Sequence, residues 1–204
     1  LLSNHPWFEI SALASSERSA GKPYAEACKW HLEGDMPAGM GDMMVQPAAP
    51  PIDAQVVFSA LPADVAKQIE PEFAAAGYTV CSNSSAFRYA DDIPVIIPEI
   101  NYEHISMLSE QKKTRGWDGK IVTSPNCTTT GAVFPLKPIN EVFGIEKLFL
   151  VSMQAVSGAG YPGLPYLAIA NPRWMFPKLS FGIREETLQE NVDKARDEGA
   201  ELVV

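Results

Sequence analysis

The sequence is poor in cysteine, histidine and positive charge, and it has no long apolar run. Its three cysteines, Cys28, Cys81 and Cys127, are too irregularly spaced for a disulfide framework or a zinc site. They fit a reducing, cytoplasmic compartment. Lys and Arg number 16 against 25 Asp and Glu, and the net charge of −9 argues against nucleic acid as the main partner. No apolar stretch approaches the ~20 residues of a membrane span, so no membrane partner is expected. The opening Leu1-Leu2-Ser3-Asn4-His5-Pro6 has no basic leader ahead of an apolar segment, unlike a signal peptide. Because it also lacks Met, the chain is expected to begin inside a longer protein. What is present is a chain of 204 residues, 46% hydrophobic and 20% charged, the composition of a globular protein with a real core.

Strand-like and helix-like segments alternate along it. Residues 8–13 alternate as a strand does, and residues 55–60 form a short apolar run before Leu61-Pro62-Ala63-Asp64, which suits a helix start. Residues 65–76 have helical spacing at Val65, Ile69 and Phe73, with Pro71 as an irregularity and Gly77 as the stop. Residues 78–82, 94–98 and 120–123 predict further strands, 101–113 and 132–143 helices, and 147–156 a longer strand. Strands separated by helices of this length predict βαβ units and a mostly parallel sheet. Residues 35–53, with Pro47, Pro50 and Pro51, read as a long loop or irregular insertion, and there is no internal repeat.

A nucleotide-binding sheet of this class usually opens with a strand and a Gly-rich turn set against a helix N-terminus. No G-x-G-x-x-G precedes residues 8–13, and residues 1–6 read as the tail of a helix broken by Pro6. A sheet of Rossmann type would then have its first strand and glycine loop upstream of Leu1. That strand is central in the usual order, so its loss would remove a pairing partner from both neighbours.

Three segments carry candidate chemistry. In Ser124-Pro125-Asn126-Cys127-Thr128-Thr129-Thr130-Gly131, a cysteine lies between a predicted strand and a predicted helix. Unpaired N–H groups and the helix dipole favour a thiolate at such a junction, which suits nucleophilic attack on a carbonyl; the other reading is a buried structural cysteine. After residues 8–13, Ser15, Ser16, Arg18 and Ser19 cluster with Glu17 as the only acid. Ser and Arg there suit a ribose 2′-phosphate, whereas an acid at the strand end selects the 2′-hydroxyl; a solvated polar turn would look the same. Gln154-Ala155-Val156-Ser157-Gly158-Ala159-Gly160 ends a predicted strand in small residues, over which a ligand can lie close; an ordinary Gly-rich turn is the alternative.

Taken in order, LLSNHPWFEISALASSERSAGKPY (1–24), VVFSAL (56–61), CSNSSAFR (81–88), IPVIIPEIN (93–101), residues 124–131 and MQAVSGAGYPG (153–163) resemble aspartate-semialdehyde dehydrogenase of the archaeal and fungal type. The resemblance covers residues 1 to about 165. It implies an α/β fold, an N-terminally truncated Rossmann-type parallel sheet followed by the start of an α+β catalytic domain. Residues 1–126 would form a partial NADP-binding domain, 127–166 the start of the catalytic and dimerisation domain, and 167–204 a divergent tail. The implied activity is NADPH-dependent reduction of L-aspartyl 4-phosphate to the semialdehyde, with release of inorganic phosphate, in the biosynthesis of lysine, methionine and threonine.

Position by position, the resemblance implies Cys127 as nucleophile and Gln154 as the residue placing the acyl group. It implies Arg88 and Asn126 at the substrate phosphate; a planar guanidinium suits bidentate phosphate binding. Ser15, Arg18 and Ser19 match the 2′-phosphate segment of NADP. Ser59, Ala60 and Leu61, then Ser82, Asn83 and Ser85, match strand ends along the cofactor, and Ser157, Gly158, Ala159 and Gly160 the loop near the nicotinamide. The family works as a homodimer or homotetramer. His5, His31 and His104 do not match its acid–base histidine, so this chain is expected to be incomplete in its chemistry. No metal site is expected.

From residue 167 onward the match to that family stops. Residues 168–204, with a helix expected over 187–198 and a strand starting at Leu202, resemble a short piece of the dimanganese thiosulfohydrolases of sulfur oxidation. This implies a chimera; a drifted dehydrogenase is the other reading. Three functional classes remain open: a truncated dehydrogenase or a related acyl-phosphate or acyl-CoA reductase such as malonyl-CoA reductase, a non-catalytic fragment, and a piece of a manganese hydrolase.

Overall fold

The computed structural model of the chain describes residues 2, 4–30 and 34–152. The chain divides into two units, Leu1–Lys137 and Pro138–Val204. In the first, β1 (Leu13–Ser15) pairs in parallel with β2 (Val45–Pro47). A second sheet has the order β3 (Val56–Ser59), β4 (Thr79–Ser82), β5 (Lys120–Thr123), all parallel. Helix α1 (Tyr24–Ala27) lies between β1 and β2, and α2 (Ala63–Ala75) crosses from β3 to β4. Then α3 (Pro98–Asn101), a 3₁₀ turn (Tyr102–Ser106) and α4 (Met107–Arg115) lead to β5, which feeds α5 (Cys127–Phe143). This is the parallel α/β arrangement that the alternating sequence predicts.

The core of the three-stranded sheet follows from the spacing of α2. Its buried residues are Ala66, Glu70, Phe73 and Ala74, one helical stripe at steps of four, three and one. Phe73 and Ala74 join Val80, Ile93 and Ile121 in a single buried cluster. Pro71 sits inside the helix, where it removes one backbone donor, yet the helix continues through it to a sharp stop. Tyr78 N–H donates to the Phe73 carbonyl at 3.0 Å and Gly77 N–H to the Ala74 carbonyl at 3.2 Å. With Gly77 at φ +96°, these are the two bonds of a Schellman cap. The rings of Phe73 and Tyr78 meet edge to face, 5.2 Å between centroids, and the Tyr78 hydroxyl bonds both N–H and carbonyl of Ile52.

That cap also positions β5. Gly119 N–H donates to the Ala74 carbonyl at 2.9 Å and Lys120 N–H to the Tyr78 carbonyl at 3.0 Å. A Cβ on Gly119 would collide with the Tyr78 carbonyl and lie 2.7 Å from the Ala74 carbonyl. The far edge of β5 is covered in two ways. Thr123 bridges Val95, and Gln111, 1% exposed, takes the place of a strand residue. Its Oε1 accepts from Ile121 N–H at 2.8 Å and its Nε2 donates to the Ile121 carbonyl at 2.9 Å. Gln111 also donates to the Asp92 carbonyl, while Arg115 makes two bonds to the Asp92 carboxylate, at 2.5 and 2.8 Å.

Several segments depart from the sequence reading. The strand expected at 8–13 forms only as Leu13–Ser15, the part that has β2 beside it. Within the stretch read as a loop, Val45–Pro47 is that partner strand, hidden because only Val45 carries an apolar signal before Pro47 ends it. Residues 94–98 make one bridge rather than a strand, since prolines bound them and Gln111 already occupies the edge. The helix expected from 101 is broken by the 3₁₀ turn, and α5 starts five positions before the apolar spacing suggests. Residues 2 and 4–6 form a turn with His5 N–H on the Leu2 carbonyl, not a helix tail. In the second unit α5 ends at Phe143, followed by Gly144 at φ +75°, and residues 147–152 form no strand; the remainder of that expected strand lies outside the described residues, as do the helix and strand expected in the tail. Among the described residues no helix is long and apolar enough to cross a membrane.

Two stability effects follow. Gly119→Ala is expected to lower the unfolding free energy by about 2–3 kcal/mol, measured by urea denaturation with a matched Gly131→Ala control, whose space is open and whose φ is not positive. The hydrogen bonds and charge of Arg115 hold the Asp92 carboxyl below its ordinary range. Its contribution is therefore present above the unfolded value of about 3.9 and lost as pH falls through the lower folded value. Asp92→Asn should be less stable than the parent at about pH 7, with the gap closing below about pH 4.

Candidate active site

The C-terminal ends of β3, β4 and β5 point the same way, as parallel strands require, and each ends in small polar residues. Such an end is where open α/β sheets bind ligands. Ser59 closes β3, Ser82 closes β4, and Thr123 closes β5 one residue before the cysteine segment. Asn83 N–H donates to the Ser59 carbonyl at 2.8 Å and Ser124 N–H to the Ser82 carbonyl at 2.9 Å, so the three loops leave the sheet in register.

Arg88 ties two of these loops together. Its Nε donates to the Ser124 carbonyl and its Nη2 to the Asn83 carbonyl, each at 2.8 Å. Ser124 Oγ completes the link by donating to Asn83 Oδ1 at 2.9 Å. One edge of the guanidinium is thus spent on backbone carbonyls. The segment that follows starts α5. Asn126 is its N-cap: its carbonyl accepts from Thr130 N–H at 3.0 Å and its Oδ1 from Thr129 N–H at 2.7 Å. Asn126 Oδ1 is therefore engaged by the helix. Cys127 is the first residue of α5 and is exposed. The reading of Cys127 as a buried structural residue is thereby excluded.

Cys81 differs in kind. It is half-buried within β4 between Phe58 and Val122, and burial pushes its thiol pKa up. Cys28 hydrogen-bonds Tyr24, raising the phenol. None of the three is in a disulfide. Ser15, Arg18 and Ser19 lie at the end of β1 in the other sheet, where Ser19 and Ala20 N–H groups close a turn on the Ser16 carbonyl. Arg18 is exposed there and Ser15 and Ser19 are partly buried. Gln154, Ser157, Gly158, Ala159, Gly160 and His31 lie outside the described residues. His104 bonds Asn101, and among the described residues no group of His, Cys, Asp and Glu could hold a metal ion.

Two residues of this end have roles that the sequence reading did not assign, although Ser124 lies in the cysteine segment it singled out. Ser124 links Asn83 and Arg88, which no spacing announces. Glu70, 1% exposed, accepts from Ser82 Oγ at 2.7 Å beneath the β4 loop. Its signal was available: a lone acid in the apolar stripe of α2.

Residues 1–108 match the family model described as semialdehyde dehydrogenase, NAD binding domain. The chain is 50% identical over 172 residues to an aspartate-semialdehyde dehydrogenase of Archaeoglobus fulgidus, covering 84% of this chain and 50% of that protein. It is 40% identical over 173 residues to a malonyl CoA reductase (NADP) of Metallosphaera sedula, covering 84% and 48%. A crystal structure of aspartate semialdehyde dehydrogenase with NADP from Candida albicans matches at a TM-score of 0.63 and 42% identity, over 71% of this chain and 42% of that one. The chain spans about half the length of the curated relatives it matches. The expectation of a foreign C-terminal segment finds no support in these matches.

Exposure separates the thiols experimentally. Limiting iodoacetamide at about pH 8, near the ordinary thiol range, should alkylate Cys127 well before Cys81 in the folded chain. Peptide mapping by mass spectrometry reads the order, and equal rates would mean that Cys127 is covered.

Proposed function

This chain belongs to the semialdehyde dehydrogenase family, and we propose that it is part of an enzyme reducing L-aspartyl 4-phosphate to L-aspartate 4-semialdehyde with NADPH. The observation that carries this reading is the position of Cys127 as the exposed first residue of α5, beside a loop held by Arg88. In this reading the Cys127 sulfur attacks the acyl carbon of the aspartyl phosphate. A C–S bond forms, the C–O bond to phosphate breaks, and inorganic phosphate leaves with the electron pair. Arg88, with the N–H groups not spent on Asn83 and Ser124, steadies the departing phosphate. The Asn126 amide nitrogen adds a donor there, and Gln154 places the acyl group.

The donor set at the end of β1 fits the cofactor: an exposed Arg18 flanked by Ser15 and Ser19 suits a 2′-phosphate. NADPH, when bound, supplies the hydride that reduces the acyl carbon. Ser59, Ala60 and Leu61, with Ser82, Asn83 and Ser85, would line its course across the strand ends, and residues 157–160 would lie by the nicotinamide. Cys127 regains its thiol as the aldehyde leaves. The three histidines stand apart from these residues by sequence match, so proton transfer in this chain is expected to run about 10²–10⁴-fold slower than with a positioned acid–base group. Lysine, methionine and threonine biosynthesis, a cytoplasmic location and a homodimer or homotetramer belong to the same reading. Exposed Ile139, Val142 and Phe143 in the second unit support assembly. The 40% identity to a malonyl CoA reductase favours one second reading, the same chemistry on malonyl-CoA with coenzyme A as leaving group.

The test separates acylation from turnover. Incubated with aspartyl phosphate, the chain should gain one acyl mass on Cys127, and Cys127→Ser should gain none. Phosphate-dependent reduction of NADP by aspartate semialdehyde should be slow in the chain and absent in Cys127→Ser. Acylation by malonyl-CoA but not by aspartyl phosphate would transfer the assignment to the second reading, and acylation elsewhere than Cys127 would end both.

A further inference from the structure

Helix α2 buries a carboxylate within its apolar stripe. Glu70 is 1% exposed and shares that stripe with buried Ala66, Phe73 and Ala74. Packing does not account for an acid there, because a charged group is costly to bury unless its partners repay it. Its Oε1 accepts from Ser82 Oγ at 2.7 Å, and among the described residues its Oε2 has no partner. The carboxylate is thus directed at one hydroxyl, at the end of β4. A polar residue that breaks the apolar pattern in this way answers to a requirement other than the core.

That requirement is the loop beyond β4. An ionised carboxylate only accepts, so the Ser82 hydroxyl donates to Glu70 and turns its lone pairs toward the loop. There Ser82 Oγ accepts from Ser84 N–H at 3.1 Å. Ser84 Oγ accepts in turn from Ala86 N–H at 3.3 Å, and the Ser85 carbonyl from Arg88 N–H at 3.5 Å. Ser82 and Ser84 are both buried, so water does not compete for their hydroxyls, and bonds in such surroundings reinforce one another. Asn83 is held between these two serines. It presents its carbonyl to Arg88 Nη2 and its Oδ1 to Ser124 Oγ. A continuous run of bonds therefore joins Glu70, on a helix behind the sheet, to the Arg88 guanidinium and to the backbone that leads into Cys127.

We propose that Glu70, acting through Ser82, is a positioning residue for Arg88: it sets the turn from which the guanidinium meets the phosphate of the acyl phosphate. The assignment rests on the reading of Arg88 as the group that steadies the departing phosphate, and it adds to that reading a residue of α2. Both Glu70 and Ser82 act through the loop and not on the substrate. Gln at position 70 would keep the shape of the side chain, but its amide also donates, so the direction of the Ser82 hydroxyl would no longer be set. Ala at position 82 would remove both bonds of the hydroxyl.

The test observes Arg88 directly, by nitrogen–proton NMR on the isotope-labelled full chain. Arg88 Nε–H is held on the Ser124 carbonyl and Arg115 Nε–H on the Asp92 carboxylate, so one spectrum holds the probe and its control. Arg88→Ala assigns the probe. Glu70→Gln and Ser82→Ala should each shift or broaden the Arg88 signal and leave that of Arg115 in place. Acylation of Cys127 by aspartyl phosphate should slow by about ten- to hundredfold in both variants. Alkylation by iodoacetamide, a neutral reagent that needs no phosphate site, should keep its rate. In an Arg88→Ala background, Glu70→Gln should slow acylation no further, since residues acting as one unit are not additive. Three results would each overturn the proposal: an Arg88 signal unchanged in both variants, loss of the Arg115 signal together with it, or an equal cost of Glu70→Gln with and without Arg88. A parent chain that aspartyl phosphate does not acylate would end the reading of the reaction, and the Arg88 signal would still decide for or against its link to Glu70.

Discussion

The geometry of this molecule depends on one close approach of backbone to backbone. Where α2 stops at Gly77 and turns into β4, its last carbonyls face the start of β5, and Gly119 lies against them with no room for a side chain. That contact sets the register of β5 on β4, residue 120 opposite 79 through 123 opposite 82. The cysteine segment that directly follows β5 inherits the register. A slip of one residue would turn Ile121 and Thr123 out of the core and move the cysteine away from the loop that ends β4.

Around this contact, polar groups do structural work that apolar packing alone would not. Gln111 supplies an amide in place of a missing strand residue and closes the outer edge of β5, so that edge offers little for another chain to pair with. Asp92 is held by Arg115, which also lies over the Trp117 ring at 5.2 Å. Arg88 acts likewise between loops, through the Ser124 and Asn83 carbonyls. By fixing the carbonyl of Ser124 it holds the backbone three residues before Cys127. Among the described residues no such device covers the other flank of the sheet, where β3 is paired on one side only and Ser59 Oγ and Glu70 Oε2 are buried without a hydrogen-bond partner.

Much of the architecture was legible because it rests on local signals. Val56–Ser59, Thr79–Ser82 and Lys120–Thr123 are short apolar runs bounded by turn residues, and α2 announces itself by spacing and by Gly77. The segments that were not legible form through partners distant in the chain. Val45–Pro47 is a strand only because Leu13–Ser15 lies beside it, and residues 94–98 fail to be one because Gln111, an exposed polar residue by its sequence context, is buried on the same edge. The start of α5 was read late because its first turn is threonine-rich, and a cap by Asn126 outweighs the weak propensity of those threonines.

The sequence by itself determined the alternation of strand and helix, the family, and the candidacy of Cys127, Arg88 and Asn126, since each rests on residue type and order. Tertiary structure alone decided which donors those residues have left. Arg88 spends one side on two carbonyls, and Asn126 spends its oxygen on the helix it caps. It also decided that Glu70 is buried with one oxygen unpaired. Burial and hydrogen-bond partnership are properties of what surrounds a group in space, and spacing along the chain does not encode them.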